Sequence, residues 1–417
     1  MPGTVLAVTD EAGKNQDVAT GAWAKKAWQT QGAVLVLLVF ISFFPRLFHI
    51  EEYLFFPFLV AAVGMVWWAK ERMWVRTPLD LPLWLFIGWI LVTVPFATDP
   101  GYSFAEWRKL LAQVLVFYWA LLVLQRNSTD LLTRHVVLIL ALATAIVSAY
   151  GIFDFFGRGG TWRDRFVRAG APSSDYNWLS TYMVIAIPFL AGEVFRNRPW
   201  KSVLYLVSLM LALVAHFISY TRAGWMGLVA QGISFSVLST RRRLAVWILA
   251  CGTLLGVGLV LLAHFGYQQS TVDPWTLNAR FAVWKLEVSD VLAHPLMGVG
   301  YGSKTFMMRF GDSPEAEKAD GPHSAFLMVA MGSGVPALVF LVWTLIRAIR
   351  TLAKNAGQMA NSPRSGFMLA AAVMIVGFAT RNLFDYMFAG SLAYLFWMLV
   401  AIGIAASTTE CRTIPPS

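Results

Sequence analysis

The stretch DPWTLNARFAVWKLEVSDVLAHPLMGVGYGSKTF (residues 273–306), carried on to ADGPHS (319–324), is the long polar interruption in a chain otherwise built from apolar runs. Its first part reads as a helix over 274–292. Asp273 suits an N-cap and Pro274 the first helical position, while Phe281, Trp284, Val288 and Val291/Leu292 recur at threes and fours until His294-Pro295 ends the pattern. Such a helix beside membrane spans is expected to lie flat on the membrane, apolar face down. Arg280 sits on it one turn before Trp284, and His323 closes the interruption where the next apolar run begins. Between them lies a glycine-rich turn, Gly298, Gly300 and Gly302. An arginine and a histidine bracketing such a turn at a membrane surface predict a site for an anionic, lipid-linked substrate.

Composition sets the class. The 417 residues are 58% hydrophobic and 13% charged, whereas a soluble domain carries about 25% charged residues. The expected fold is an all-α polytopic membrane protein. The first apolar run follows a polar leader without a small-residue cleavage site, so it is expected to stay in the mature chain. Cys251 lies in an apolar run and Cys411 in the tail, which gives no disulfide framework. The net charge of +10 does not point to nucleic acid, because the basic residues cluster at the ends of apolar runs.

A span needs about 20 apolar residues, and twelve runs qualify: 33–50, 53–69, 81–97, 110–124, 135–156, 178–194, 201–220, 223–239, 244–265, 323–346, 366–384 and 388–406. Lys and Arg are densest in alternate short connections, namely Lys70/Arg72/Arg76, Arg126/Arg134, Arg196/Arg198/Lys201, Arg241/Arg242/Arg243 and Arg347/Arg350/Lys354/Arg364. The positive-inside rule makes these cytoplasmic. The chain then divides into a cytoplasmic tail (1–32), spans one to nine (33–265), an outer loop with the active-site elements and interfacial helices (266–322), spans ten to twelve (323–406) and a cytoplasmic tail (407–417). Arg46, Arg222, Arg280, His323 and Arg381 fall on the outer face. No ATP or nucleotide sugar is expected there, so a reaction on that side must use an activated substrate. No inverted pair of broken helices is evident, which weakens a transporter reading.

Each candidate residue has a plainer alternative. Arg222, in SYTRAGW at the outer end of a span, is costly at a bilayer boundary unless solvated or paired, and so is a functional candidate; snorkelling to headgroups is the other account. Arg280 serves equally as a headgroup anchor beside Trp284. His323, after Gly321-Pro322, can act as a general base near neutral pH. The remaining histidines read as interfacial or packed residues, with His216, six residues before Arg222, the strongest of them. The 157–177 loop carries Arg158, Arg163, Arg165 and Arg168 on the side that should be poor in basic residues. Such an excess suits a sugar diphosphate or anionic headgroup, against a solvated lipid-facing loop. The run from Gly298 to Thr305 is not a phosphate-binding P-loop, since Ser303 separates Gly302 from Lys304 and no strand precedes it. Asp312, Glu315, Glu317 and Asp320 are scattered loop acids, and no metal or cofactor is expected.

Taken in order, SYTRAGW, then Arg280 and Trp284 leading into HPLMGVGYGSKTF, then PHSAFLMVAMGSGVPALVFL resemble the signature of O-antigen ligases and related O-antigen polymerase-type membrane proteins. DYNWLSTYMVIAIP (175–188) is similar to that family's earlier asparagine-containing span, and the likeness covers roughly 175–345. Ala223-Gly224 departs from the Gly-Ala order of many relatives, and both orders keep the helix start small. The resemblance implies a GT-C-type glycosyltransferase of the bacterial inner membrane with a periplasmic active site. It implies transfer of O-antigen from undecaprenyl diphosphate to lipid A–core, without metal and with inversion. The family's two essential arginines fall on Arg222 and Arg280 and its histidine on His323, with Tyr220, Trp284 and His216 as possible support. The expected partners are the lipid-linked donor, the lipid A–core acceptor and membrane lipids. An O-antigen polymerase uses the same donor and stays open. A protein O-oligosaccharyltransferase usually carries a longer C-terminal part than 407–417. A lipid-linked glycan flippase would need charges along the membrane path, whereas these gather at one face.

Overall fold

The structure, a computed structural model, describes residues 7–44, 48–69, 75–161, 167–172, 174–196, 199–238, 274–313, 322–359 and 362–408. All regular structure among them is helical: α1 Ala7–Ile41, α2 Phe48–Trp68, α3 Asp80–Thr93, α4 Pro100–Arg126, α5 Thr129–Gly157, α6 Tyr176–Arg196 and α7 Pro199–Ile218. There follow α8 Arg222–Leu238, α9 Pro274–Ala293, the short α10 Lys304–Phe310, α11 Ala325–Gln358, α12 Pro363–Asn382 and α13 Gly390–Thr408. Five of these helices, α4, α5, α11, α12 and α13, are long and apolar enough to cross a membrane, and shorter apolar helices occur within α2, α3 and α7. Among the described residues the chain is all-helical, consistent with a polytopic membrane protein. The expected run 244–265 lies outside the described residues.

Several boundaries differ from the sequence reading, with α11 running to Gln358 rather than 346 and α5 starting at Thr129 rather than 135, and two of the differences have identifiable reasons. The first run was expected at 33–50 after a separate tail, yet α1 is one helix from Ala7 to Ile41 and α2 starts at Phe48. Pro45 has no backbone donor with which to continue a helix, and α1 closes in a tight turn with the Phe44 amide donating to the Ile41 carbonyl. The fourth run, expected at 110–124, extends to Pro100–Arg126 because Asp99 accepts the Tyr102 amide at 2.9 Å and caps a polar first turn.

The core centres on α13. Its side chains from Leu392 to Ala406 are almost wholly buried, and Trp397 meets Phe117 of α4 edge-on at 5.8 Å and Phe396 at 5.3 Å. A helix that is apolar all round belongs inside a bundle. Its neighbour α12 packs against α6, α8 and α11 as well. The turn between α12 and α13 is therefore held from several sides, and it carries the charges described below.

The glycine-rich stretch is buried in a break in a helix. Within α11, Ser333 (φ −135, ψ 15) and Gly334 (φ 80, ψ 170) leave helical geometry. Pro336 has no N–H for the Gly332 carbonyl, and the Val335 amide turns instead to the Pro295 carbonyl at 2.8 Å, which frees Met331. The freed carbonyls of Met331 and Gly332 accept the amides of Val299 (2.9 Å) and Gly300 (2.8 Å). Irregular backbone in an apolar bundle persists only when its polar groups are paired in this way. The Trp89 indole donates to the Ser333 carbonyl at 3.0 Å, closing the break from α3. Gly334 must be glycine, since a Cβ there would lie 2.0 Å from the Leu296 carbonyl oxygen.

Candidate functional site

The helix expected over 274–292 is present as α9, Pro274–Ala293; its expected cap, Asp273, lies outside the described residues. One face of α9 is buried through Val283, Glu287 and Asp290, while Phe281, Val288 and Leu292 are exposed. Val283 packs with Val299, Phe306 and Met331, which fastens α9 to the glycine turn and to α11. Arg280 is half-buried. One turn on, the Trp284 indole donates to the backbone carbonyl of His323 at 3.4 Å and its ring approaches Phe384 at 6.0 Å. Trp284 thus links the helix of Arg280 to the His323 turn.

That turn is fixed from its other side. Ser324 caps α11 by accepting the Leu327 amide at 3.3 Å, and the Ala325 amide donates to the Asp385 carbonyl at 3.1 Å. Behind Asp385 lies Arg381, in the last turn of α12 and 0% exposed. Its Nε donates to Thr181 Oγ1 (2.5 Å), and its Nη2 to the Asn177 carbonyl (2.9 Å), Asn177 Oδ1 (3.4 Å) and Asp385 Oδ2 (3.5 Å). Arg280 lies near enough to act electrostatically on Arg381, as do Asp175 and Asp385. Asp175 opens α6 by accepting the amides of Asn177 and Trp178 at 2.8 and 3.0 Å.

The second arginine region adjoins this cluster through α6. The Ala169 amide donates to the Ile218 carbonyl at 3.0 Å, so the loop before α6 docks on the turn between α7 and α8. Arg222 is exposed at the first position of α8. Tyr220, just before it, takes φ 48, a conformation few non-glycine residues adopt. His216 is buried beneath this turn, 6.1 Å from the Trp225 ring, and a Cβ on Gly224 would meet Ser180 Oγ at 2.0 Å and His216 Cε1 at 2.7 Å. This explains the need for a small residue at 224. Arg168 stacks over Tyr176 at 4.4 Å, and Arg158 pairs with Asp154 and donates to the Arg168 carbonyl at 2.5 Å. Arg163 and Arg165 lie outside the described residues, as do Glu315, Glu317 and Asp320. Among the described residues no three His, Cys, Asp or Glu side chains gather closely enough to hold a metal ion.

Two groups escaped the sequence reading as site residues. Arg381 reads as one more outer-face charge, although FATRNLFDY puts an arginine and an aspartate one helical turn apart. Glu287 is fully buried, neither carboxylate oxygen has a hydrogen-bond partner among the described residues, and desolvation pushes its carboxyl up to about 8.

No curated protein matches the chain. The profile of the O-antigen ligase family matches residues 207–342, the third of the chain that holds Arg222, Arg280, Trp284, His323 and the broken helix. Over that third, the chain is similar to the O-antigen ligase family.

Proposed function

We propose that the protein is an O-antigen ligase of GT-C type, with twelve spans, that transfers a glycan from undecaprenyl diphosphate to a sugar of lipid A–core on the periplasmic face of the inner membrane. The acceptor hydroxyl oxygen bonds to the anomeric carbon as the bond from that carbon to the diphosphate oxygen breaks, which inverts the configuration. The hydroxyl proton passes to the His323 imidazole. Arg222 and Arg280 hold the diphosphate and take up the charge that grows on it as it leaves, the electrostatic work a metal does in other transferases. Arg168, presented over Tyr176, adds positive charge for the headgroup, with Arg158 bracing its backbone and Arg163 and Arg165 completing the basic loop. His216 and Tyr220 support the turn that presents Arg222.

The observation that carries this reading is the Trp284 hydrogen bond to the His323 carbonyl, which fastens the helix of Arg280 to the histidine turn. Through it, the helix that carries Arg280 meets the turn that carries His323, 43 positions further along the chain. Binding of undecaprenyl diphosphate to purified protein in nanodiscs tests it. Arg222→Ala and Arg280→Ala are each expected to weaken binding by tenfold or more, at about 1.4 kcal/mol per decade. Unchanged affinity in both would remove the arginine assignment.

A further inference from the structure

Arg381 is placed where simple helix packing does not call for an arginine. Burying a guanidinium costs several kcal/mol, and an apolar residue of similar volume often packs as well or better. Here the buried side chain instead ties the end of α12 to α6 and to the turn that follows α12. Nε and Nη2 form one edge of the guanidinium plane and grip Thr181 and Asn177 in the first turns of α6, while Nη2 also reaches Asp385. Asp385 is held in turn, with Oδ1 accepting the Tyr386 amide at 2.9 Å and its carbonyl accepting the Ala325 amide at 3.1 Å. Asn382, the next residue after Arg381, accepts the Met387 amide at 2.9 Å and fixes the same turn from within. Ala325 stands two residues after His323, whose carbonyl meets Trp284. A continuous route therefore runs from the guanidinium through Asp385 and Ala325 to the histidine and on to the helix of Arg280.

We infer that Arg381 is a positioning residue for transfer: by gripping Asn177, Thr181 and Asp385 it holds the His323 turn in register with Arg280. This rests on the reading above, in which His323 and Arg280 act on the lipid-linked donor. The buried Nη1 has no acceptor among the described residues, and the side chain's hydrogen bonds there come from the Nε–Nη2 edge and go to the scaffold. An error of about 1 Å in a reacting group costs on the order of 10²-fold in rate, which makes the register of this turn matter to the reaction as well as to the fold.

The test uses the full-length protein in proteoliposomes, with Arg381→Met, Arg381→Lys and Thr181→Val. Four quantities are measured: folded fraction, affinity for undecaprenyl diphosphate, kcat for transfer per folded protein, and hydrogen exchange at the Ala325 amide. Arg381→Met is expected to lower kcat by about 10- to 100-fold, to leave donor affinity within about threefold (under 1 kcal/mol), and to speed exchange at Ala325. Arg381→Lys, which keeps a cation for Asp385 but loses the fork, should recover part of kcat. Thr181→Val removes one hydrogen bond, keeps the charge and should show the same pattern at smaller size, so the inference stays testable if Arg381→Met does not fold. Unchanged kcat per folded Arg381→Met protein would overturn the inference, or, where that protein does not fold, unchanged kcat and exchange in Thr181→Val. A loss of donor affinity as large as the loss of kcat, with Ala325 exchange unchanged, would also overturn it, because Arg381 would then touch the diphosphate itself. Failure of the ligase reading looks different: Arg280→Ala would bind undecaprenyl diphosphate normally, while the exchange response at Ala325 would still report whether Arg381 holds the turn.

Discussion

A guanidinium can offer two parallel N–H bonds to a phosphate, whereas an ammonium offers a point charge. Arg280→Lys is accordingly expected to restore only part of the donor affinity lost in Arg280→Ala, as read from binding curves. His323→Ala should leave donor binding near normal and lower turnover by about 10²–10⁴-fold, the usual scale of general base catalysis. If that variant lost donor affinity as badly as Arg280→Ala, His323 would be a third anchor rather than a base. Glu287 gives a stability prediction of definite sign. Its folded carboxyl titrates at about 8, against an ordinary 4.5, so the folded state binds a proton that the unfolded state releases. Its contribution is complete below about pH 4.5 and lost as pH climbs to about 8. Glu287→Gln, which cannot ionise, should match the native protein in melting temperature near pH 5 and exceed it increasingly up to pH 8; a constant difference across that range would contradict the buried-acid account. The sequence offers Arg222, Arg280 and His323 as candidates because polar residues at the end of an apolar run, or within the long polar interruption, stand out. Arg381 carries the same mark but reads as one more outer-face charge, and Glu287 carries none; what distinguishes both is burial, and the guanidinium's partner Thr181 lies 200 residues away.

The element on which the site turns is α11, a broken helix whose gap is filled by the 295–300 segment. Gly334→Ala should be among the most damaging single substitutions in the chain, because both its φ of 80 and the carbonyl at 2.0 Å exclude a Cβ. A loss of more than about 3 kcal/mol in stability is expected, seen as a large drop in melting temperature in detergent together with lost transfer. A native melting temperature would mean that the 295–300 segment does not sit in the break. Sequence periodicity finds α9 almost to the residue, since a polar stretch with apolar residues at threes and fours has one reading. It places an apolar run on each of the five helices long and apolar enough to cross a membrane as well. The break is harder to read: PHSAFLMVAMGSGVPALVFL is apolar throughout, and neither Gly334 nor Pro336 says that a loop from the preceding interruption will supply the missing hydrogen bonds. That pairing is long-range, and local propensity does not encode it.

For the molecule as a whole, the distribution of Lys and Arg predicts an orientation of the bundle, and single cysteines in a background free of Cys251 and Cys411 test it. Asp312→Cys is expected to react with an impermeant maleimide in cells with a permeabilised outer membrane, and Ser128→Cys to stay protected until the inner membrane is opened; the reverse pattern would invert the topology. Transfer should continue in excess chelator and without nucleotide, since the donor carries its own leaving group and two arginines supply the positive charge; loss of turnover restored by one particular metal would contradict this. The class of the molecule is legible from composition alone, whereas the site is an assembly of α6, α8, α9, α11 and α12 whose meeting the sequence does not reveal. The central claim is transfer onto lipid A–core, and it is tested most directly by one chase experiment. Purified protein in proteoliposomes receives a glycan labelled on undecaprenyl diphosphate, with lipid A–core as acceptor. The account predicts label on lipid A–core, at a rate that falls sharply in Arg280→Ala. Label that instead lengthens the lipid-linked glycan, or that crosses the bilayer unchanged, would contradict it.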